Sequence, residues 1–337
     1  MTRQQITAWI RRTRKTIAGG ILLARTRVAS SPRGLLALIG VGLAAIGGCA
    51  IDWRWTLVIV GLAAFADAQT ESVLQARRAL RNAGQSPLSR AQFLAGMSTL
   101  LGANQRILYT PNGTDTTSSV ESSTVGRTIP WDGDISARIS RVGNAYAQSF
   151  NGTSQYGEMP DTDDLSFGNG TADSAFTVLA LINISAITTE HTLLAKWRSG
   201  LGEWRTAVDS GGLLRFWLQD ESAAASPTAR TLANGILTGV WTLCGFTYTA
   251  ATGGATAAND MYVYVNGVDR TGNRVNAASY VAMENLTSES YIGTRNAHLS
   301  NFFPGSLILA AVTQKALTAA EHLQVHALCR RFTGQPL

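Results

Sequence analysis

The sequence predicts a mainly β protein: a two-sheet antiparallel sandwich preceded by an α-helical, hydrophobic N-terminal arm. Three observations carry this expectation. Short runs of period-two alternation, bounded by Gly, Asn, Asp and Ser turns, recur through residues 141–337. The 337 residues are 45% apolar and 15% charged with 33 glycines, which suits a turn-rich globular chain. An uncharged apolar run at 34–51 stands ahead of the β-rich part.

Charge divides the chain in the same place. Residues 1–140 hold 16 Lys/Arg and 7 Asp/Glu, a net +9, whereas residues 141–337 hold 12 and 15, a net −3. Nothing before Asp52 is acidic. A basic segment over 1–33 therefore suits anionic lipid, nucleic acid or an acidic partner surface. Residues 34–101 form a hydrophobic, helical anchor or assembly arm. A membrane span needs about 20 apolar residues; 34–51 barely qualifies, and 56–66 does not qualify alone. Gly40, Ala44 and Gly48 make a small-residue stripe that permits close helix packing. Three readings stay open for 34–66: a membrane insertion as one span or a tight hairpin, a buried helix in a protein assembly, or a processed secretion segment. The last has a loose cleavage box at 43–49, against which the long basic region before it weighs.

Helical spacing continues from Ala68 to Ala83. Ser89 then caps a second helix to about Leu101, with Phe93, Leu94, Met97 and Leu101 on one side. Residues 102–140, rich in Ser, Thr and Gly, read as an extended connector with a few short strands. The sandwich, 141–337, starts near Arg141. Its strands are expected at 176–184, 192–197, 203–208, 213–219, 240–248, 261–265 and 306–312, with an exposed loop at 249–260. Asp209-Ser210-Gly211-Gly212 and Asn266-Gly267 are hairpin turns. Thr318-Ala319-Ala320-Glu321 is a capping box opening a final helix. Three unevenly spaced cysteines, Cys49, Cys244 and Cys329, imply neither a disulfide framework nor a zinc site; Cys244 and Cys329 read as buried small hydrophobes.

Four motifs in order carry a resemblance: Phe150-Asn151-Gly152 to Tyr156, the Trp241 strand, Tyr264-Val265-Asn266-Gly267, and Gly305-Ser306 followed by Leu317-Thr318-x-x-Glu321. This order resembles the laminin-G-like branch of the concanavalin-A-like lectin/glucanase jelly rolls, over about 143–334. The resemblance implies a jelly roll that displays a binding surface for glycans, proteins or calcium rather than a reaction centre. The connector at 106–111 and 128–132 also resembles structural proteins of tailed bacteriophages. Together these imply a non-enzymatic virion protein used in host attachment or particle decoration, with a bacterial envelope-anchored carbohydrate-binding protein as the alternative. The expected location is the virion, or otherwise the bacterial cell envelope. Expected partners are other virion or envelope proteins through the arm, a surface glycan, a membrane and further copies of the chain.

Little catalytic chemistry is legible. A glycosidase needs two carboxylates flanking the scissile bond, and no strand carries acids two apart. Asp161, Asp163 and Asp164 are candidate calcium ligands, the only cofactor expected, against a plain solvated turn. His322 and His326 lie four apart on the last helix but lack the Glu of zinc proteases, so they read as an exposed face. His191 and His298 have no nucleophile pattern beside them. If the 209–212 hairpin closes symmetrically, Trp204 stands opposite Trp217 on an outward face with Thr206 and Arg215. Trp204, Trp217 and Arg215 are then candidate ligand contacts, stacking on sugar rings. The alternative is that the tryptophans fill the core, and a one-residue slip inverts the faces.

Overall fold

Ser89 caps the first described helix: its hydroxyl accepts from the Gln92 amide, while Gln92 Oε1 accepts from the Ser89 N–H. The computed structural model describes residues 86–232, 235–295 and 300–337, all within the unit that begins at Arg78. The basic segment, the apolar stretch at 34–66 with its three readings, and Cys49 lie outside the described residues. No helix among the described residues is long and apolar enough to cross a membrane.

Helix α1 spans Arg90–Leu101. Six strands follow: β1 (Gln105–Tyr109), β2 (Ser118–Val120), β3 (Thr128–Pro130), β4 (Ile139–Val142), β5 (Ala145–Asn151) and β6 (Gly157–Met159). The middle of the chain supplies β7 (Phe176–Ile184), β8 (His191–Lys196), β9 (Trp204–Val208), β10 (Leu214–Leu218), β11 (Thr228–Thr231) and β12 (Trp241–Tyr248). Then come β13 (Met261–Val265), β14 (Val268–Asp269), β15 (Thr271–Val275), β16 (Ser290–Ile292), β17 (Pro304–Thr313) and helix α2 (Ala319–Thr333). All the ladders are antiparallel.

An eight-stranded sheet runs β14-β13-β12-β7-β17-β5-β4, with β1 as its eighth strand paired to β17. Strand β17 lies along β7 on one side; its other side is shared, with β5 beside its first half and β1 beside its second. A seven-stranded sheet runs β15-β11-β10-β9-β8-β16-β6, and β2 and β3 form a small separate pair. This is the expected mainly β sandwich.

Strand β7 explains the layering. Its nine residues are almost all apolar, so both of its faces need cover. Phe176, Val178, Ala180, Ile182 and Ile184 enter the core between the sheets. Leu179 and Leu181 point the other way, into a second core with Leu243, Leu309 and Ala311. Helices α1 and α2 close that second core with Phe93, Met97, Leu101, Val325, Cys329 and Phe332. Phe93 stacks on Phe332 with ring centres 4.3 Å apart. The order of layers is therefore helices, eight-stranded sheet, seven-stranded sheet.

His322 fixes the last helix to the sheet. Its Nε2 lies 2.9 Å from Thr247 Oγ1, and its ring stacks on Tyr264 at 3.7 Å. Gly245 makes this approach possible, since a Cβ there would lie 2.8 Å from the imidazole. His322 is fully buried, which corrects the expectation of an exposed histidine face. The Asp260 carboxylate accepts from the Thr252 and Gly253 amides and closes the loop onto the 3-10 turn Gly254–Asp260. Ala257, Ala258 and Asp260 are buried while Ala251, Thr252, Ala255, Thr256 and Asn259 stay exposed, so the loop is exposed as expected except at its inner end. Cys244 and Cys329 are free and buried, and burial raises both thiols above their ordinary range.

The structure moves the domain boundary. Strand β1 belongs to the main sheet, and Ile107, Tyr109, Ile129, Trp131 and Ile135 enter the core between the sheets. Helix α1 packs on the sandwich and is not part of an arm at 34–101. The 102–140 connector and the Arg141 start are corrected accordingly. The contacts responsible span the chain, as where Thr313 Oγ1 donates to Leu101 O at 2.9 Å; no local pattern reveals them.

Candidate functional site

The β9–β10 hairpin decides which side chains can meet a ligand. Asp209 Oδ1 accepts from the Gly211 and Leu213 amides at 2.8 and 3.0 Å, and Gly212 adopts φ +75°. A left-handed glycine at this point gives a three-residue loop closed by Asp209 and Leu213, not a four-residue one. The register then places Trp204 opposite Leu218 and Trp217 opposite Arg205. The symmetric closure expected from sequence is thus off by one residue, and one residue exchanges faces.

Trp204 consequently points inward. It is 1% exposed, its indole N–H donates to Leu165 O at 2.9 Å, and its ring packs near Phe167 and Phe176. This removes Trp204 from the candidate contacts. Thr206 also faces inward, with its hydroxyl donating to Leu194 O.

Trp217 and Arg215 remain on the outer face, joined by Arg205, but Trp217 is itself only 5% exposed beneath the two arginines, so Arg215 is the more accessible of the two candidates. The Arg205 guanidinium lies 4.0 Å from the Trp217 ring and 4.7 Å from Trp197; Arg215 lies 4.3 Å from Trp217. Two guanidiniums thus bracket one indole. Glu190 faces three arginines, at 2.7 Å from Arg205, 3.8 Å from Arg295 and 3.9 Å from Arg215. Burial lowers Arg205 to about 10, with Arg295 and Arg215 adding to the effect against the pull of Glu190. Sequence reading missed Arg205, Trp197, Glu190 and Arg295. Only the correct register reveals that Arg205 and Trp217 share a face.

The acidic loop behaves differently from the expectation of a calcium site. Asp164 pairs with Arg127, and Asp161 with the Lys196 ammonium. Asp163 begins a 3-10 turn, Asp163–Leu165. Lys196 is fully buried and also meets Glu203 Oε1 at 3.1 Å, Leu286 O at 3.0 Å and Ser288 O at 2.8 Å. Two carboxylates and two carbonyls therefore surround a cation supplied by the chain itself. Among the described residues no three metal-ligating side chains converge. The assignment of Asp161, Asp163 and Asp164 to calcium is corrected on this geometry. Glu203 is buried too, and burial pushes it up to about 7 against the pull of Lys196.

His191 is buried, with Nδ1 2.8 Å from Phe302 O; His298 lies outside the described residues. A shallow cleft not anticipated from sequence is lined by Pro130, Trp131, Asp132, Gly133, Tyr156, Glu158 and Pro160. Trp131 lies on Gly157, where a Cβ would come within 2.4 Å of the indole.

The family model described as "Concanavalin A-like lectin/glucanases superfamily" matches residues 150–321. No curated protein matches the chain. Among solved structures, the botulinum neurotoxin serotype D binding domain is 14% identical, covers 68% of this chain and 52% of its own, and has a TM-score of 0.46. The binding domain of Paraclostridial Mosquitocidal Protein 1 is 14% identical, with 67% and 52% covered and a TM-score of 0.49. Domain 4 of AbnA, a GH43 extracellular arabinanase from Geobacillus stearothermophilus solved with arabinotriose, is 17% identical, with 66% and 98% covered and a TM-score of 0.44. The chain spans about half the length of the toxin binding domains it matches. Because the family match takes in half of the 337 residues and falls on the sandwich just described, the chain belongs to the concanavalin A-like lectin/glucanase superfamily.

Proposed function

We propose that the chain is a non-enzymatic recognition protein whose seven-stranded sheet presents its outer face to a glycan or a protein partner. One observation carries this reading: the sandwich is asymmetric. Both described helices pack on the eight-stranded sheet, leaving Trp217, Arg205 and Arg215 on the outer face of the opposite sheet. Aromatic rings and arginines on a rigid sheet suit recognition, because stacking orders them before a ligand arrives. Glu203 and Asp161, two acids near one another, are engaged with Lys196 and do not flank an open cleft.

The setting we propose is a bacteriophage virion, in which residues 1–85 attach the sandwich to its neighbours, with copies of the chain side by side. The segregated charge, net +9 over residues 1–85 and −3 over 86–337, supports an attachment segment and a display domain. The 18-residue apolar run at 34–51 favours a second reading, a bacterial envelope protein held by that run. A glycan array probed with the full chain, and mass spectrometry of purified virions, test the proposal. Selective glycan binding with the protein present in virions is the expected result. A protein found in envelope fractions and missing from virions favours the second reading.

A further inference from the structure

Arg215 and Arg230 stand directly opposite each other on β10 and β11. Opposed residues on antiparallel neighbours hold their Cβ atoms about 5 Å apart, and like charges placed so repel. Their row across the outer face reads Thr192, Ala207, Arg215, Arg230, Asn273 and supplies no acid. Glu190 reaches Arg215 only at 3.9 Å and is held closer by Arg205 at 2.7 Å. Arg230 is exposed and makes no ion pair among the described residues. Three guanidiniums, those of Arg205, Arg215 and Arg295, thus share Glu190, and Arg230 beside them adds a fourth positive charge with no acid of its own. The surplus is local, since residues 141–337 as a whole are net negative.

The patch is also held in place. Arg215 sits over the Trp217 ring at 4.3 Å, and Arg205 over the same ring at 4.0 Å. A stacked guanidinium keeps its N–H edge free to donate in a plane, the geometry that meets a carboxylate with two parallel hydrogen bonds. Its side chain is 31% exposed. Asn273 at the open end of the row is exposed and adds an amide, while exposed Val275 opposite Thr228 offers an apolar flank for ring C–H groups.

We infer that this patch binds the carboxylate of an acidic glycan, gripped by Arg215 and Arg230 from adjacent strands. The inference rests on the recognition role proposed above and narrows it to one chemical class. A nucleic acid would need cations tracking a phosphate backbone, whereas the surplus here is concentrated on neighbouring strands beside an apolar flank.

The test compares binding of the full chain to oligogalacturonate and to the same oligosaccharide methyl-esterified, which lacks the charge. Preference for the free acid is expected, with affinity falling about tenfold or more in Arg215→Ala and in Arg230→Ala. Arg230 is exposed, so its variant should melt with the parent, and the cations of residues 1–33 are unchanged in both. Equal binding of the two oligosaccharides, or unchanged affinity in both variants, overturns the inference; the second result assigns the attraction to the N-terminal cations. A chain that binds neutral glycans alone on the array keeps the recognition role and loses the acidic subsite. One that binds no glycan at all overturns the inference and leaves a protein partner as the recognition role.

Discussion

Lys196 and Glu203 are both fully buried, and the ammonium lies 3.1 Å from Glu203 Oε1. Glu203 Oε1 also accepts from the Leu286 amide and the Ser166 hydroxyl, at 3.0 and 3.1 Å. The pair ties the end of β8 to the segments around 161–166 and 286–288. Removing one partner of such a pair strands the other as a buried charge, so Lys196→Ala should cost about 3 kcal/mol or more.

Glu203 makes that pair sensitive to pH. Its folded value of about 7 lies above the ordinary 4.5, because burial penalises the charged form. The folded state therefore holds the proton more tightly than the unfolded chain. The stability this contributes is fully present below about pH 4.5 and is lost as pH rises through about 7. Denaturant unfolding of the parent and Glu203→Gln at pH 5 and pH 8 reads the effect. The parent should gain up to about 3 kcal/mol relative to the variant at the lower pH. A stability gap independent of pH would refute the assignment.

His322 acts in the opposite sense. Burial holds it neutral, at about 3, with Glu321 and Asp269 opposing weakly; burial lowers His326 to about 4 in the same way. The unfolded chain takes up these protons near pH 6.5. Stability from His322 is present above that value and lost as pH falls toward 3, at up to about 1.4 kcal/mol per pH unit. His322→Gln cannot charge and should show a shallower acid slope, with a lower midpoint at pH 7 from lost packing on Tyr264. Guanidinium midpoints at pH 4 and pH 7 measure both; an identical slope in the variant would remove His322 from the account.

The two tryptophans of the hairpin should separate cleanly. Trp204→Ala opens a cavity among Phe167, Phe176 and the Leu165 carbonyl and should cost about 3–5 kcal/mol. Trp217→Ala removes a ring from between two guanidiniums and should cost about 1–2 kcal/mol while weakening ligand binding. Equal losses of stability in the two variants would contradict the register.

The domain boundary is testable by truncation. A fragment of residues 86–337 retains α1, β1 and Trp131 and should unfold cooperatively. One of residues 141–337 loses Phe93, Met97 and Leu101 from the outer core and Ile107, Ile129 and Trp131 from the inner one. It should aggregate or melt without a sharp transition. Matching melting curves from the two fragments would return the boundary to Arg141.

Local features were legible in the chain alone. Ser89 and Thr318 were readable as caps, β7 as a central strand, and Asp209 to Gly212 as a turn, because each depends on neighbours a few residues away. The family resemblance was legible for a related reason: its motifs mark turns and strand ends in a set order. The outer face was not. Whether Trp204 or Trp217 lies on the outer face, beneath the arginines, depends on a single residue of register, decided by the left-handed conformation of Gly212 and by which face the opposite sheet could bury. The cation of the acidic loop was equally hidden, since Lys196 lies 35 residues from Asp161 in sequence. Sequence determined where strands, turns and caps form, through local sterics and alternation. Only the tertiary structure decided which side chains face outward and which charges are already paired, because those follow from long-range packing that leaves no local trace.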